Sequence, residues 1–68
     1  MTPLQITLNG EPRILEEGST LAELVTRLEL TGRVAIEVNA VVIRRALHAE
    51  HRLQSGDRVE IVTFVGGG

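Results

Sequence analysis

Leu4-Gln5-Ile6-Thr7-Leu8-Asn9-Gly10 is the stretch that decides the fold. Its first five residues alternate apolar and polar side chains, which predicts a β-strand with one buried face. Asn9-Gly10 follows directly, and this dipeptide is the strongest short signal for a hairpin turn. The predicted return strand, Glu11–Leu15, contains Pro12, which cannot donate a backbone hydrogen bond within a sheet. The chain is therefore predicted to open with an antiparallel hairpin whose second strand lies at a sheet edge.

One amphipathic helix is predicted after a solvated turn at Glu16-Glu17-Gly18. Thr20 and Glu23 have the spacing of a capping box, in which each side chain bonds the other residue's backbone N–H. Apolar residues then recur on a single helical face, at Leu21, Leu24, Val25 and Leu28. Gly32 supplies a stop signal, so we expect a helix of about three turns that packs on strands.

Three further strands complete the predicted pattern. They lie at residues 34–38, at 41–43 after an Asn39-Ala40 turn, and at 58–65 after a Gln54-Ser55-Gly56-Asp57 turn, with an irregular stretch at 44–54. This order predicts an α+β domain in which one main helix packs on a mixed sheet of four to five strands. The inward positions of both periodicities give the predicted core, which comprises Leu4, Ile6, Leu8, Leu21, Leu24, Val25, Leu28, Val34, Ile36, Val38, Val59 and Ile61.

Composition limits the classes of function. The 68 residues are enough for one domain, predicted at 1–65, followed by a flexible glycine tail at 66–68. The absence of cysteine excludes thiolate chemistry and fits a reducing cytoplasm, and the absence of lysine excludes a side-chain amine nucleophile. A net charge of −2 and a single aromatic residue argue against a nucleic-acid partner. No apolar run approaches the length of a membrane-spanning helix.

The closing residues Val65-Gly66-Gly67-Gly68 are the strongest candidate for chemistry. Glycine lacks a Cβ atom, so such a tail can enter a slot too narrow for other residues and present the Gly68 carboxylate. The alternative is an idle frayed terminus or a truncated linker. His48 and His51 have the i, i+3 spacing of metal ligands, but no third ligand accompanies them, so both are predicted to be solvated and to bind no metal.

A second candidate is an exposed apolar patch at the end of the last strand. Val62 and Phe64 alternate with Val59 and Ile61, so they are predicted to face away from the helix. With Ala35, and with Val65 leading into the tail, they form the predicted partner-binding residues. The alternative is that Phe64 folds over the sheet edge and completes the core.

The chain resembles the ThiS family, the sulfur carrier proteins of thiamine biosynthesis. The resemblance rests on the Leu-Asn-Gly hairpin, Gly18-Ser19-Thr20-Leu21, Val38-Asn39, Leu53-Gln54-Ser55-Gly56-Asp57 and above all Arg58-Val59-Glu60-Ile61-Val62-Thr63-Phe64-Val65-Gly66-Gly67-Gly68. The family often has a bulky aromatic residue in the segment that matches residues 45–49, where this chain has Leu47 and His48. The resemblance implies a ubiquitin-like β-grasp fold, with the first and last strands parallel and adjacent at the sheet centre.

The resemblance also implies a carrier that acts as a co-substrate and has no catalytic residue of its own. An E1-like, ThiF-like enzyme would use ATP and Mg²⁺ to adenylate Gly68, while Gly66 and Gly67 occupy its narrow channel. Sulfur from a cysteine desulfurase would then replace AMP and leave a thiocarboxylate. A ThiG-like thiazole synthase would accept that sulfur in the cytoplasm.

Three alternatives remain open at the level of sequence. The small subunit of molybdopterin synthase carries a C-terminal Gly-Gly thiocarboxylate on the same fold. A ubiquitin-like modifier would share the adenylation step but end in an isopeptide bond. A nucleic-acid-binding β-grasp module would need a basic or aromatic surface, which the composition does not favour.

Overall fold

The computed structural model describes residues 3–64, which contain one α-helix and five strands. In chain order these elements are β1 (Leu4–Leu8), β2 (Glu11–Leu15), α1 (Leu21–Arg27), β3 (Val34–Val38), β4 (Val41–Ile43) and β5 (Arg58–Thr63), with a short 3-10 helix at Arg45–Leu47. The strands form one sheet in the order β2-β1-β5-β3-β4. The predicted α+β architecture is confirmed, with five strands.

The opening hairpin forms as the sequence predicts. Asn9 and Gly10 have φ values of 50° and 85°, which are the left-handed conformations that a type I′ turn requires. β1 and β2 pair in antiparallel register along their whole length, so that Thr7 lies opposite Pro12. Because β2 has no second neighbour in the sheet, Pro12 lies on an edge strand, as predicted.

β5 lies at the centre of the sheet. It pairs in parallel with β1 and in antiparallel with β3, which confirms the central parallel pair that the resemblance implies. The pairing with β1 covers only the start of β5, where Thr7 lies opposite Arg58. The Asn9 side chain extends this attachment, because its Nδ2 donates to the Ile61 carbonyl at 3.1 Å and its Oδ1 accepts from the Ile61 N–H at 2.9 Å.

The β3–β4 hairpin uses the same type of turn. Asn39 and Ala40 have φ values of 52° and 70°. The Asn39 Oδ1 accepts from the Arg58 N–H at 2.9 Å, and its Nδ2 donates to the Asp57 carboxylate at 3.1 Å. Each hairpin turn therefore contains an asparagine that tolerates positive φ. The side-chain amide of Asn9 bonds to the backbone of β5, and that of Asn39 bonds to the start of β5 and to Asp57 just before it.

The amino-terminal cap of α1 is the predicted capping box. Thr20 Oγ1 accepts from the Glu23 N–H at 3.2 Å, and Glu23 Oε1 accepts from the Thr20 N–H at 2.9 Å. These two bonds satisfy backbone N–H groups that have no partner within the helix. The helix therefore begins at Leu21.

The predicted end of the helix at Gly32 is wrong, because α1 has seven residues and stops at Arg27. The Glu29 N–H donates to the Thr26 carbonyl at 3.0 Å and the Leu30 N–H to the Val25 carbonyl at 3.2 Å. With Glu29 at φ 56°, this is a Schellman motif built on a residue other than glycine. No helix within residues 3–64 has the length and apolar character needed to cross a membrane.

The hydrophobic core lies between α1 and one face of the sheet. Nine of the twelve predicted core residues are buried, and the other three, Val25, Leu28 and Val34, are partly buried against them. Leu15 and Leu53 are also buried but were not predicted. Leu15 ends a strand whose other residues are exposed, and Leu53 lies in the irregular stretch, so no periodicity marks either one.

Candidate docking face and carboxyl-terminal tail

The residues expected to carry the chemistry follow β5. Val65, Gly66, Gly67 and Gly68 lie outside the described residues, as does the boundary expected between a domain at 1–65 and a tail at 66–68, so these remain predictions. The description ends at Phe64, whose N–H donates to the Arg33 carbonyl at 3.1 Å. This bond continues the β5–β3 pairing past the last residue of the strand, so the backbone is attached to the sheet as far as Phe64.

The end of β5 exposes apolar side chains on the sheet face opposite α1, which we call the open face. Ile61 is buried on the helix side, whereas Val62 is 58% exposed. Ala35 on β3 lies directly opposite Val62 and is also exposed. The predicted orientation of these two residues is confirmed. Their role in binding a partner stays a prediction.

Phe64 belongs to the same exposed surface. Its side chain is 60% exposed, so the alternative in which it completes the core is wrong. A fully buried aromatic side chain contributes several kcal/mol to the free energy of unfolding. Because most of the Phe64 side chain is exposed, its contribution is much smaller. The sole aromatic residue of the chain is therefore available for contact with another molecule.

A recess of about 490 Å³ lies beside this patch on the open face. Exposed or half-buried side chains from β3, β4 and β5 line it, together with Asn9; they are Ala35, Glu37, Val42, Glu60 and Val62. Val42 is 66% exposed and was not among the predicted partner-binding residues. Its neighbour Ile43 pairs with the buried Ile36, and that alternation places Val42 on the open face.

Two glutamates occupy directly opposite positions on the strands that line the recess. Glu37 on β3 lies directly opposite Glu60 on β5, and side chains at directly opposite positions of an antiparallel pair have Cβ atoms about 5 Å apart. Within residues 3–64 one ion pair forms, between the exposed side chains of Arg27 and Glu16 at 3.5 Å. Neither glutamate of the recess is neutralised by an arginine of the described chain.

The prediction that both histidines are solvated is wrong for His48, which is only 7% exposed. Its ring Nε2 lies 2.8 Å from the Ile43 carbonyl, and because a carbonyl only accepts, Nε2 carries the proton. Its backbone carbonyl accepts from the Ala22 N–H at 3.1 Å, which ties the irregular stretch to α1. His48 therefore fills space in the segment where the family often has a bulky aromatic residue.

The described residues offer no other arrangement for chemistry. No group of three or more histidine, aspartate or glutamate side chains within residues 3–64 could hold a metal ion. Glu16 and Glu17 are exposed in a turn, as predicted, and Glu16 forms only its surface contact with Arg27. This part of the chain supplies a five-stranded sheet whose central strand precedes the three closing glycines in sequence.

Two solved structures similar to this chain come from Geobacter metallireducens. The crystal structure of its thiamine biosynthesis protein ThiS aligns with a TM-score of 0.79 and 30% sequence identity, covering 96% of this chain and 100% of that one. The solution structure of a thiamine biosynthesis protein from the same organism gives a TM-score of 0.78 and covers 96% and 88%.

Similar sequences include both long and short proteins. A thiazole synthase of Magnetococcus marinus is 41% identical over 66 residues, which are 96% of this chain but 20% of that protein. The chain thus spans only about a fifth of the curated thiazole synthases it matches. An uncharacterized protein ycf40 of Porphyra purpurea is 36% identical and is covered to 93% of its length. The sequence model of the ThiS family matches residues 6–68, so this chain belongs to the ThiS family.

Proposed function

We propose that this chain is the sulfur carrier of thiamine biosynthesis, and that it carries sulfur as a thiocarboxylate on Gly68. The observation that carries the proposal is the family match over residues 6–68, because it extends through the three closing glycines. The similarity to a ThiS structure over nearly the whole chain supports the same function. The cytoplasm, which the cysteine-free composition favours, is the proposed location.

The proposed chemistry begins with activation of a poor electrophile. A carboxylate resists nucleophilic attack, and transfer of AMP from ATP to one Gly68 oxygen turns that oxygen into part of a good leaving group. A ThiF-like adenylating enzyme would perform this step with ATP and Mg²⁺. The terminal sulfur of a persulfide supplied by a cysteine desulfurase would then attack the acyl carbon and displace AMP. A cysteine thiol would cleave the resulting acyl disulfide, leaving the Gly68 thiocarboxylate and a disulfide. In this scheme the chain supplies only the acyl group and the means to present it.

The role of the described residues is to position the tail. Residues 65–68 can span at most about 14 Å when fully extended. An enzyme that holds Gly68 in its active site must therefore approach Phe64 and the neighbouring open face closely. Phe64, Val62 and Ala35 are exposed at that place, which supports their assignment as contact residues, with Val65 between them and the glycines.

Thiazole synthase is the proposed acceptor of the sulfur. Relatives with that name contain a segment similar to this chain within a polypeptide about five times as long. Two activities that cooperate are often joined in one chain, because tethering raises their effective concentration. This arrangement in the relatives supports a ThiG-like thiazole synthase as the partner of this chain.

Intact-protein mass spectrometry tests the proposal. The chain is incubated with ATP, Mg²⁺, a cysteine desulfurase and a purified ThiF-like enzyme, and we expect a mass gain equal to replacement of one oxygen by sulfur, located by fragmentation at Gly68. Two controls are a chain without Gly68 and a chain extended by one alanine, both of which should fold but gain no sulfur. A sulfur gain in either control would contradict the proposal. Conjugates to lysines of other proteins would instead indicate a ubiquitin-like modifier.

A further inference from the structure

Glu37 and Glu60 are two acidic residues at directly opposite positions of β3 and β5. Like charges directly across an antiparallel pair destabilise a sheet, and no arginine among residues 3–64 lies within ion-pair distance of either one. Both side chains retain access to solvent, since Glu60 is exposed and Glu37 half-buried. A cation placed between them would remove the repulsion and form two charge-assisted contacts at once.

The residues around this pair favour one kind of cation. In the next row of the same face toward Phe64, about 7 Å away along the strands, Ala35 lies opposite Val62. The row on the other side holds Arg58, which is exposed and lies beyond ion-pair distance of both glutamates. The two apolar side chains form a floor that suits an aliphatic stem, and Val42 lies beside Glu37 on the other side. An arginine combines an apolar stem with a planar head that has five N–H donors, enough to serve two carboxylates.

We propose that an arginine of the adenylating enzyme enters the recess, with its stem over Ala35 and Val62 and its guanidinium between Glu37 and Glu60. This inference rests on the proposed function. The recess belongs to β5, the strand that leads to Gly68, so the enzyme that holds the tail also covers this face. The positive charge of the enzyme's arginine then complements the two negative charges of the recess. This pairing would fix the orientation of the carrier on the enzyme as well as strengthen binding.

The test compares two double variants with the same change in charge. Glu37→Gln with Glu60→Gln removes the recess charges, and Glu11→Gln with Glu17→Gln removes two exposed charges elsewhere. Binding of each full-length chain to the purified adenylating enzyme is measured by calorimetry at low and high salt. We expect the recess variant to bind at least about tenfold more weakly at low salt, with a smaller salt dependence, and the control variant to bind nearly as the parent does.

Two further measurements separate this inference from the proposed function. The recess variant should melt at a higher temperature than the parent, and at saturating enzyme it should still acquire the Gly68 thiocarboxylate. Equal affinities of the recess and control variants, a loss confined to thiazole synthase, or no binding of the parent chain would each overturn the arginine contact. A parent chain that binds the enzyme but gains no sulfur would contradict the proposed function and leave the arginine contact supported.

Discussion

Single residues at the two hairpin turns show how closely local backbone geometry and sequence correspond. Gly10 and Ala40 occupy equivalent second positions of type I′ turns, at φ 85° and 70°. Glycine adopts such values without strain, whereas an L-residue with a Cβ atom loses about 1 kcal/mol or more. The chain therefore contains one relaxed and one strained version of the same turn.

Replacing Ala40 by glycine should stabilise the protein. Relief of the left-handed strain exceeds the extra entropy that glycine gives the unfolded chain, so we expect the free energy of unfolding to rise by about 0.5 kcal/mol. Gly10→Ala is the matched opposite, because a methyl group there meets no atom within 4 Å and only the conformational term acts. Urea unfolding of both variants measures the changes, and a destabilised Ala40→Gly would show that Ala40 makes an unrecognised packing contribution.

Burial of individual residues was predictable only where a periodicity repeats. Ile6 and Ile36 belong to strands with regular alternation, and both are buried as predicted. Leu53 and His48 lie in the irregular stretch, where no pattern distinguishes an inward from an outward side chain. Their burial depends on contacts with elements distant in sequence, such as the bond from the Ala22 N–H to the His48 carbonyl. Contacts of this kind leave no periodic pattern in the sequence from which burial could be predicted.

At the scale of elements, α1 is a short helix that nevertheless covers one face of the sheet. It has seven residues, which is too few for an isolated helix to be stable in water. Its capping box, its Schellman motif and the burial of Leu21 and Leu24 against the sheet compensate for that length. The sequence showed the beginning of the helix because Thr20 and Glu23 are a specific signal, but the end depends on Glu29, which is not a typical residue for that position.

Truncation of Leu24 should therefore destabilise the whole domain. Leu24 is 2% exposed, and Leu24→Ala should cost about 2–5 kcal/mol through lost contacts and a residual cavity. That is a large share of the stability of a small domain. Thr26→Ala is the control, since Thr26 is exposed on the same helix and its replacement should change stability little. Thermal unfolding followed by circular dichroism measures both, and equal melting temperatures would contradict the packing of α1 on the sheet.

Phe64, just beyond β5, should act in binding rather than in folding. Phe64→Ala should weaken binding to the adenylating enzyme and to thiazole synthase while the melting temperature stays near that of the parent, because the side chain is 60% exposed. Ile14→Ala is the matched control, since Ile14 is 69% exposed on the edge strand β2, which is separated from β5 by β1. A large drop in melting temperature without a change in affinity would assign Phe64 to the fold.

At the scale of the whole molecule, folding and chemistry are assigned to separate parts of the chain. Every buried residue of the described range lies between Leu4 and Ile61, whereas the proposed reactive atom belongs to Gly68. The topology makes this separation possible, since the central strand β5 leads directly toward the glycines and is bound on both sides, by β1 with Asn9 and by β3. The sequence alone indicated this division, because the closing motif is specific, but the acidic recess required the register of β3 against β5.

Gly67→Val should abolish sulfur loading without altering the fold. A β-branched side chain restricts the backbone and widens the segment, so it should block entry into a channel that admits glycine, whereas the core within residues 4–61 is unaffected. Gly67→Ala provides a graded comparison, with a smaller loss expected. The measurement is the rate of adenylation by the ThiF-like enzyme, with melting temperature as the control for folding. If the valine variant were adenylated as fast as the parent, the active-site channel would be wide at that position, and the run of glycines would need another explanation.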